Sequence, residues 1–225
     1  MKKIFLIMLT FLLLTGCKKN ENELVLVTEA GFAPYEYYEN GEIVGVDVEI
    51  AKEIAKELGK ELVIKDIAFD SIVNELKSGK ADFAAAGMSI TPERLKEVDF
   101  SVEYTTSRQV VIVNKNSKIA NVNDIYDKKV AVQLGSVADL YFSEDYPNTE
   151  LIRQKKYLTM AEDLKANKLD LIVMDELPAK NIVEKNKEGG FPLMRRLLDT
   201  AGWSSLADNL FGLHVGILNV DEKAV

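Results

Sequence analysis

The run AGMSITPER, from Ala86 to Arg94, places small residues, the hydroxyls of Ser89 and Thr91 and a guanidinium in one short stretch. Backbone N–H groups exposed beside Gly87, with the Ser89 hydroxyl and Arg94, would form a fork for a planar anion such as a carboxylate. The same residues also read as a strand end and a helix start. Thr91 is then the N-cap, Pro92 sits at the first helical position and Arg94 pairs with a nearby glutamate on a solvated face. Asp175, which closes an apolar run, is placed either to take an ammonium or to cap the helix after it. Phe32 and Phe69 are either core aromatics or the walls around an apolar body lying between the two charges. Anion site, cation site and rings together describe a pocket for a zwitterionic amino acid. With one histidine, His214, and one cysteine, Cys17, the chain has no set of ligands for a metal and no histidine relay. No cofactor is expected.

These residues need scaffolding, and the hydropathy pattern supplies it as an alternation of strands and helices. ELVLVT (23–28) reads as a strand. VDVEIAKEIAKELG (46–59) puts Val48, Ile50, Ala51, Ile54, Ala55 and Leu58 on one helical stripe and stops at Gly59. ELVIKDI (61–67) is a strand, SIVNELKSG (71–79) a short helix and DFAAAG (82–87) a strand. The pattern then restarts with the strand QVVIVNK (109–115), a helical turn at 123–128 and the strand KVAVQLG (129–135). A helix over 137–145, a strand near 150–153, a helix from Thr159 to Asn167, the strand DLIVMD (170–175) and a helix over 177–187 complete it. Such alternation predicts an α/β fold of right-handed βαβ units in two lobes of similar size, each a mostly parallel sheet flanked by helices, joined near residues 110–116. Ligands of such sheets sit beyond the carboxyl ends of the strands, so the cleft between the lobes is the expected site. The strand ends gather Glu29 and Phe32, then Phe69, then Ala86, Gly87 and Ser89, then Gln133, Gly135 and Ser136, and lastly Asp175. Tyr35, Tyr37 and Tyr38 are expected to pack the lobe edge.

The chain opens with MKKIFLIMLTFLLLTGC, two lysines before an apolar run and then small residues, which is the pattern of a secretion signal. Leu14-Thr15-Gly16-Cys17 resembles the bacterial lipoprotein signal, which implies cleavage before Cys17, acylation by chains such as palmitate and a lipid anchor on the extracytoplasmic side. Lys18 to Glu23 is a polar tether. The folded lobes are expected over 24–112, with a return segment near 208–225, and over 113–207. The net charge of −8 and the absence of a basic block after the signal argue against nucleic acid as a partner. From Phe191 onward the composition changes to Leu, Arg and Gly. FGLHVGIL (211–218) is the one segment there that reads as a returning strand, so an aberrant or truncated C-terminus is expected.

Four ordered stretches carry a resemblance to a known family: GFAPYEYYENGEIVGVDVEIAKEIAKELG, IAFDSIVNELKSGKADFAAAGMSITPERLKEVDFS, KKVAVQLGS and LDLIVMD. They resemble the bacterial extracellular solute-binding proteins for polar amino acids, the receptors of ABC importers, over roughly Leu24 to Lys187. The resemblance implies a two-lobe fold that closes on its ligand, acts as a monomer without enzymatic activity and passes an amino acid to a membrane permease. It also implies roles for single residues. Glu29 meets the side chain or amine region, and Phe32 and Phe69 stack on the side chain. Backbone at Ala86 and Gly87, with Ser89, meets the amine and carboxylate, and Arg94 pairs with the carboxylate. Gln133, Gly135 and Ser136 cap the ligand from the second lobe, and Asp175 takes the ammonium. Val137 departs from the family pattern, which has a small hydroxyl or glycine there. The alternative function on the same fold is a dehydratase of cyclic carboxylic acids, in which Glu29 or Asp175 would serve as proton donor.

Overall fold

Short apolar runs become strands and amphipathic runs become helices in the computed structural model, which describes residues 20–119, 122–188, 197–199 and 211–217. The expected signal peptide with Cys17, the start of the tether and most of the chain after Gly190 lie outside the described residues. The first part of the chain forms β1 (Glu23–Thr28), β2 (Gly31–Phe32), β3 (Glu36–Glu39), β4 (Glu42–Val44), α1 (Val46–Glu57), β5 (Glu61–Asp66), α2 (Ile72–Lys77), β6 (Phe83–Ser89), β7 (Asp99–Phe100) and β8 (Thr105–Ser107). It continues with β9 (Gln109–Val113), β10 (Lys129–Gln133), α3 (Val137–Asp145), β11 (Glu150–Gln154), α4 (Tyr157–Lys165), β12 (Leu171–Asp175), α5 (Glu176–Glu188), β13 (Leu197–Asp199) and β14 (Phe211–Ile217).

Two lobes result. In the first, β5, β1 and β6 run parallel, and β14 comes in antiparallel between β6 and β7 while also pairing with β8. In the second, β11, β10 and β12 run parallel, with β9 and β13 antiparallel at one side. Each sheet is covered by apolar clusters on both faces. Val27, Ile72, Leu76 and Met88 lie on one side of the first sheet, and Leu26, Ala51, Ala55 and Phe83 on the other. The helical stripe read from the sequence holds for Val48, Ala51 and Ala55, whereas Leu58 is exposed because α1 has ended before it.

Sheet membership changes between β8 and β9, so the chain crosses at Arg108, ahead of the 110–116 stretch expected to join the lobes. Asn114 lies wholly within the second lobe, where its amide donates to Leu164 O at 2.7 Å and to Asn167 Oδ1 at 3.0 Å. At the crossing, Arg108 Nη2 lies 2.8 Å from Glu176 Oε2, and Glu176 N–H donates to Arg108 O at 2.9 Å. The helix expected after Pro92 is only a 3-10 turn, Arg94–Lys96, because the chain must re-enter the sheet as β7. Thr91 still caps it, its Oγ1 accepting from Arg94 N–H at 3.2 Å.

An antiparallel meander, β2-β3-β4, was not read from the sequence. Its tight turn is Asn40-Gly41, with φ of 52° and 88°, the left-handed pair that a two-residue hairpin of this type requires. The meander feeds α1 through Gly45, whose φ is 127°. The first N–H groups of α1, from Val46 and Asp47, donate to Pro34 O and Tyr35 O at 3.1 and 3.0 Å, so backbone does the capping. This close approach places Asp47, fully buried, within reach of the Gly87 N–H.

Candidate functional site

The cleft follows from where strands stop. β1 stops at Thr28, β6 at Ser89, β10 at Gln133 and β12 at Asp175, and their ends face one another from the two lobes. They surround a small cavity lined by Glu29, Phe32, Glu36, Phe69, Ala86, Gly87, Ser89, Arg94, Gln133, Ser136, Val137, Tyr157 and Asp175. All the residues singled out at strand ends line it except Gly135. That residue touches the site through Arg94, whose Nη2 donates to Gly135 O at 2.9 Å across the cleft. Arg94 Nη1 donates to Ser89 O at 2.6 Å, and the guanidinium carbon sits 5.4 Å from the Phe69 ring centre. The guanidinium is thus positioned by a ring and two carbonyls at the wall of the cavity that Arg94 lines.

β6 departs from regular pairing at the site. Met88 opposes His214 and Ala85 opposes Val215, so Ala86 and Gly87 bulge out of the ladder. Gly87 has φ of 53°, and a Cβ there would lie 2.6 Å from the Phe32 ring, so glycine is what lets backbone and ring meet. The bulge does not expose the Gly87 N–H as the sequence suggested, because it donates to Asp47 Oδ2 at 2.9 Å. Asp47 Oδ1 in turn accepts from Tyr104 OH at 2.7 Å. The fork of free N–H groups expected beside Gly87 is thus reduced by one donor.

The second lobe reaches over from β10. Gln133 Nε2 donates to Glu29 Oε2 and to Lys155 O, both at 3.1 Å. Ser136 caps α3, its Oγ accepting from Asp139 N–H at 3.2 Å. Phe32 and Tyr157 stack across the cleft with ring centres 5.8 Å apart, and Tyr35 stacks on the other side of Phe32 at the same spacing. Phe32 and Tyr35 therefore extend the second lobe's apolar cluster of Tyr157, Met160 and Met174.

A family model described as bacterial extracellular solute-binding proteins, family 3, matches residues 24–196. The chain belongs to this family. Among its relatives, the arginine-binding extracellular protein ArtP of Bacillus subtilis (strain 168) is 32% identical over 191 residues, which are 84% of this chain and 75% of that protein. The arginine-binding periplasmic protein of Mannheimia haemolytica is 30% identical over 207 residues, 91% of this chain and 81% of that one. Among solved structures, the arginine-bound form of a truncated ArgBP from T. maritima superposes with a TM-score of 0.77 at 33% identity, covering 88% of this chain and 89% of that one. An ancestral arginine-binding protein bound to glutamine gives 0.78 at 30% identity, covering 91% and 88%.

Seen as a family-3 cleft, the site has an acidic excess that sequence reasoning missed. Glu36, on β3, is 1% exposed and lines the cavity, and among the described residues no cation or N–H donor meets its carboxyl, whose neighbour is another carboxyl, Asp47. Burial, and then the charge of Asp47 beside it, push its pKa well above the ordinary carboxylate value. Burial likewise raises Glu29 against the ammonium of Lys156, Asp47 against its bonds from Gly87 and Tyr104, and Asp175 against Ser107 and Gln109. Burial lowers Arg94 to about 10, which leaves it charged at neutral pH. Asp47 and Tyr104 could not have been paired from sequence, since fifty-seven positions separate them. The signal for Glu36 was the Asn-Gly turn, which fixes the register that faces Glu36 toward Phe32.

These shifts predict the sign of a pH effect. Between the ordinary glutamate value, about 4.3, and the raised one, native Glu36 keeps a proton that the unfolded chain has released. The unfolded state then binds fewer protons, so stability falls as pH rises through that window. Glu36→Gln is therefore expected to stabilise the protein more at about pH 8 than at about pH 5 in thermal melts. A gain that is equal at both, or larger at the lower pH, would contradict a raised Glu36.

Proposed function

We propose that the chain is the substrate-binding component of an ABC importer for a polar amino acid, one whose side chain carries positive charge. The observation that carries this reading is the charge layout of one buried cavity. A fixed guanidinium, Arg94, stands at one side, and the carboxyls of Glu29, Glu36 and Asp175 line the rest with their ionisation suppressed by burial. A free amino acid brings one carboxylate and one ammonium. A site whose carboxyls outnumber its cations calls for a second positive group on the ligand. In this reading Arg94 takes the α-carboxylate, Asp175 takes the α-ammonium beside the backbone of Ala86 and Gly87, and Phe32, Phe69 and Tyr157 hold the side-chain stem. Gln133 and Ser136 cap the ligand from the second lobe, where Val137 stands in place of the family's hydroxyl or glycine. The relatives whose names speak of arginine support the same ligand class.

Membership in a family of solute-binding proteins favours transport over the dehydratase alternative. Ligand delivered to a permease must be captured and released, and contacts split between two lobes favour a closed state when ligand is present. The protein is proposed to work as a monomer, held at the outer face of the membrane by acyl chains on Cys17. Calorimetric titration of the purified full chain with the twenty amino acids tests the reading. Tightest binding by arginine or lysine is expected, and absence of binding to every amino acid would refute it. For the anchor, Cys17→Ser is expected to release the processed protein from membranes or to stall its processing. A processed mutant that stays membrane-bound would refute lipidation at Cys17.

A further inference from the structure

Lys156 lies at the entrance to α4, in the second lobe, and none of the sequence patterns pointed to it. Its carbonyl accepts the first N–H groups of that helix, from Thr159 and Met160, which fixes the backbone. Its ammonium crosses to the first lobe. Nζ lies 2.5 Å from Glu29 Oε1 and 3.2 Å from Asp66 Oδ1, and Asp66 is itself anchored by accepting from Ala30 N–H at 2.9 Å. Gln133 completes the arrangement, since its amide ties Glu29 Oε2 to the carbonyl of Lys155, next to Lys156. Glu29 thus meets the second lobe through both oxygens, Oε1 in an ion pair and Oε2 in a hydrogen bond, although its side chain is only 2% exposed and lines the cavity.

This changes what a ligand meets. Of the carboxyls lining the cavity, Glu29 already has its cation, while Glu36 and Asp175 form no ion pair among the described residues. We propose that Lys156 is a specificity-determining residue of the cleft: by occupying Glu29 from the opposite lobe, it removes one anionic site from the ligand and limits the preference for cationic side chains. The inference rests on the amino-acid reading above and adds to it the residue that sets how strongly charge is selected. Lys156 acts through Glu29 and is therefore a positioning residue. Its side chain is 40% exposed, so its loss leaves no buried gap, whereas the Glu29 charge it neutralises is buried and is left for the ligand to satisfy.

The test compares L-arginine with L-citrulline, which has the same shape and hydrogen-bonding ureido end but no side-chain charge, in calorimetric titrations of the full chain. In Lys156→Met, the ratio of arginine to citrulline affinity is expected to rise by about tenfold or more, the size of change that one freed buried carboxylate produces. Lys156→Arg, which keeps the charge, is expected to retain the ratio of the unmodified protein, and Lys156→Gln to behave as the Met variant does. If Lys156 served only to hold the lobes together, both ligands would weaken by the same factor, and an unchanged ratio in Met and Gln variants overturns the proposal. So does a ratio that falls. Failure of the unmodified protein to bind either compound while it binds another amino acid overturns this inference alone, whereas binding of no amino acid overturns the amino-acid reading and this inference with it.

Discussion

Replacing Arg94 with alanine is expected to weaken amino-acid binding at least roughly thirtyfold, the equivalent of about 2 kcal/mol at the lower end of the 2–5 kcal/mol lost when one side of a desolvated charge pair is removed. The reason is geometric. Arg94 is the sole cation among the described residues that line the cavity, and its orientation is set by Ser89 O, Gly135 O and the Phe69 ring. Because it also bridges the lobes through Gly135, its loss removes a contact that favours closure as well as one that holds ligand. Lysine is not an adequate substitute, since a single ammonium cannot serve two carbonyls and a carboxylate in one plane. Arg94 is half-buried and belongs to a short 3-10 turn, so the melting temperature of the variant is expected to stay within a few degrees of the parent. Near-parental affinity in the folded variant would show that the α-carboxylate lies elsewhere.

The largest effect on folding is expected at Gly45. A Cβ at this position would lie 2.1 Å from Tyr35 O, 2.6 Å from Tyr35 C and 2.7 Å from Pro34 O, all of them backbone atoms. Side chains can rotate out of the way, but these carbonyls are themselves the caps of α1 and cannot retreat without uncapping it. The φ of 127° is moreover outside the range that residues with a Cβ adopt. Gly45→Ala should cost about 3 kcal/mol or more, from strain and overpacking together. The damage reaches the cleft, since α1 carries Asp47, and Asp47 holds the Gly87 N–H and the Tyr104 hydroxyl. Chemical denaturation of Gly45→Ala checks this, and a loss below about 1 kcal/mol would mean that the β4-to-α1 junction yields more easily than its contacts indicate.

The parts of the fold that were legible in the sequence are those governed by local periodicity. The apolar stripe of α1 and the strands β1, β5, β6, β10 and β12 depend on neighbours within a few positions, and α3 lies over Val137–Asp145 as its pattern required. Elements that depend on distant partners were not legible. β7 and β8 are short polar stretches that become strands only because β14, more than a hundred residues later, lies alongside them. The site divides in the same way. Strand-end residues such as Glu29, Ser89, Gln133 and Asp175 stand out in the sequence by position, and the structure brings them to one cavity. Tyr157 and Lys156 carry no local signal, because their significance comes from facing another lobe, and Glu36 is marked only through the Asn-Gly turn that sets its register. The expected free N–H at Gly87 failed for a related reason, since its acceptor, Asp47, arrives from a helix forty residues earlier.

The position of β14 has a bearing on the order in which the molecule can be built. The chain emerges from its N-terminus, and by the time Asp175 has been made the second lobe holds its parallel strands and β9, so it can assemble from one continuous stretch. The first lobe cannot, because β14 lies between β6 and β7 and is the last of its strands to be made. Until then β6, which is buried along its whole length in the native sheet, presents an open edge to any other strand nearby. The earliest-made lobe is thus the last to be finished, and the interval before its final strand arrives is when the nascent protein is most exposed to misassembly.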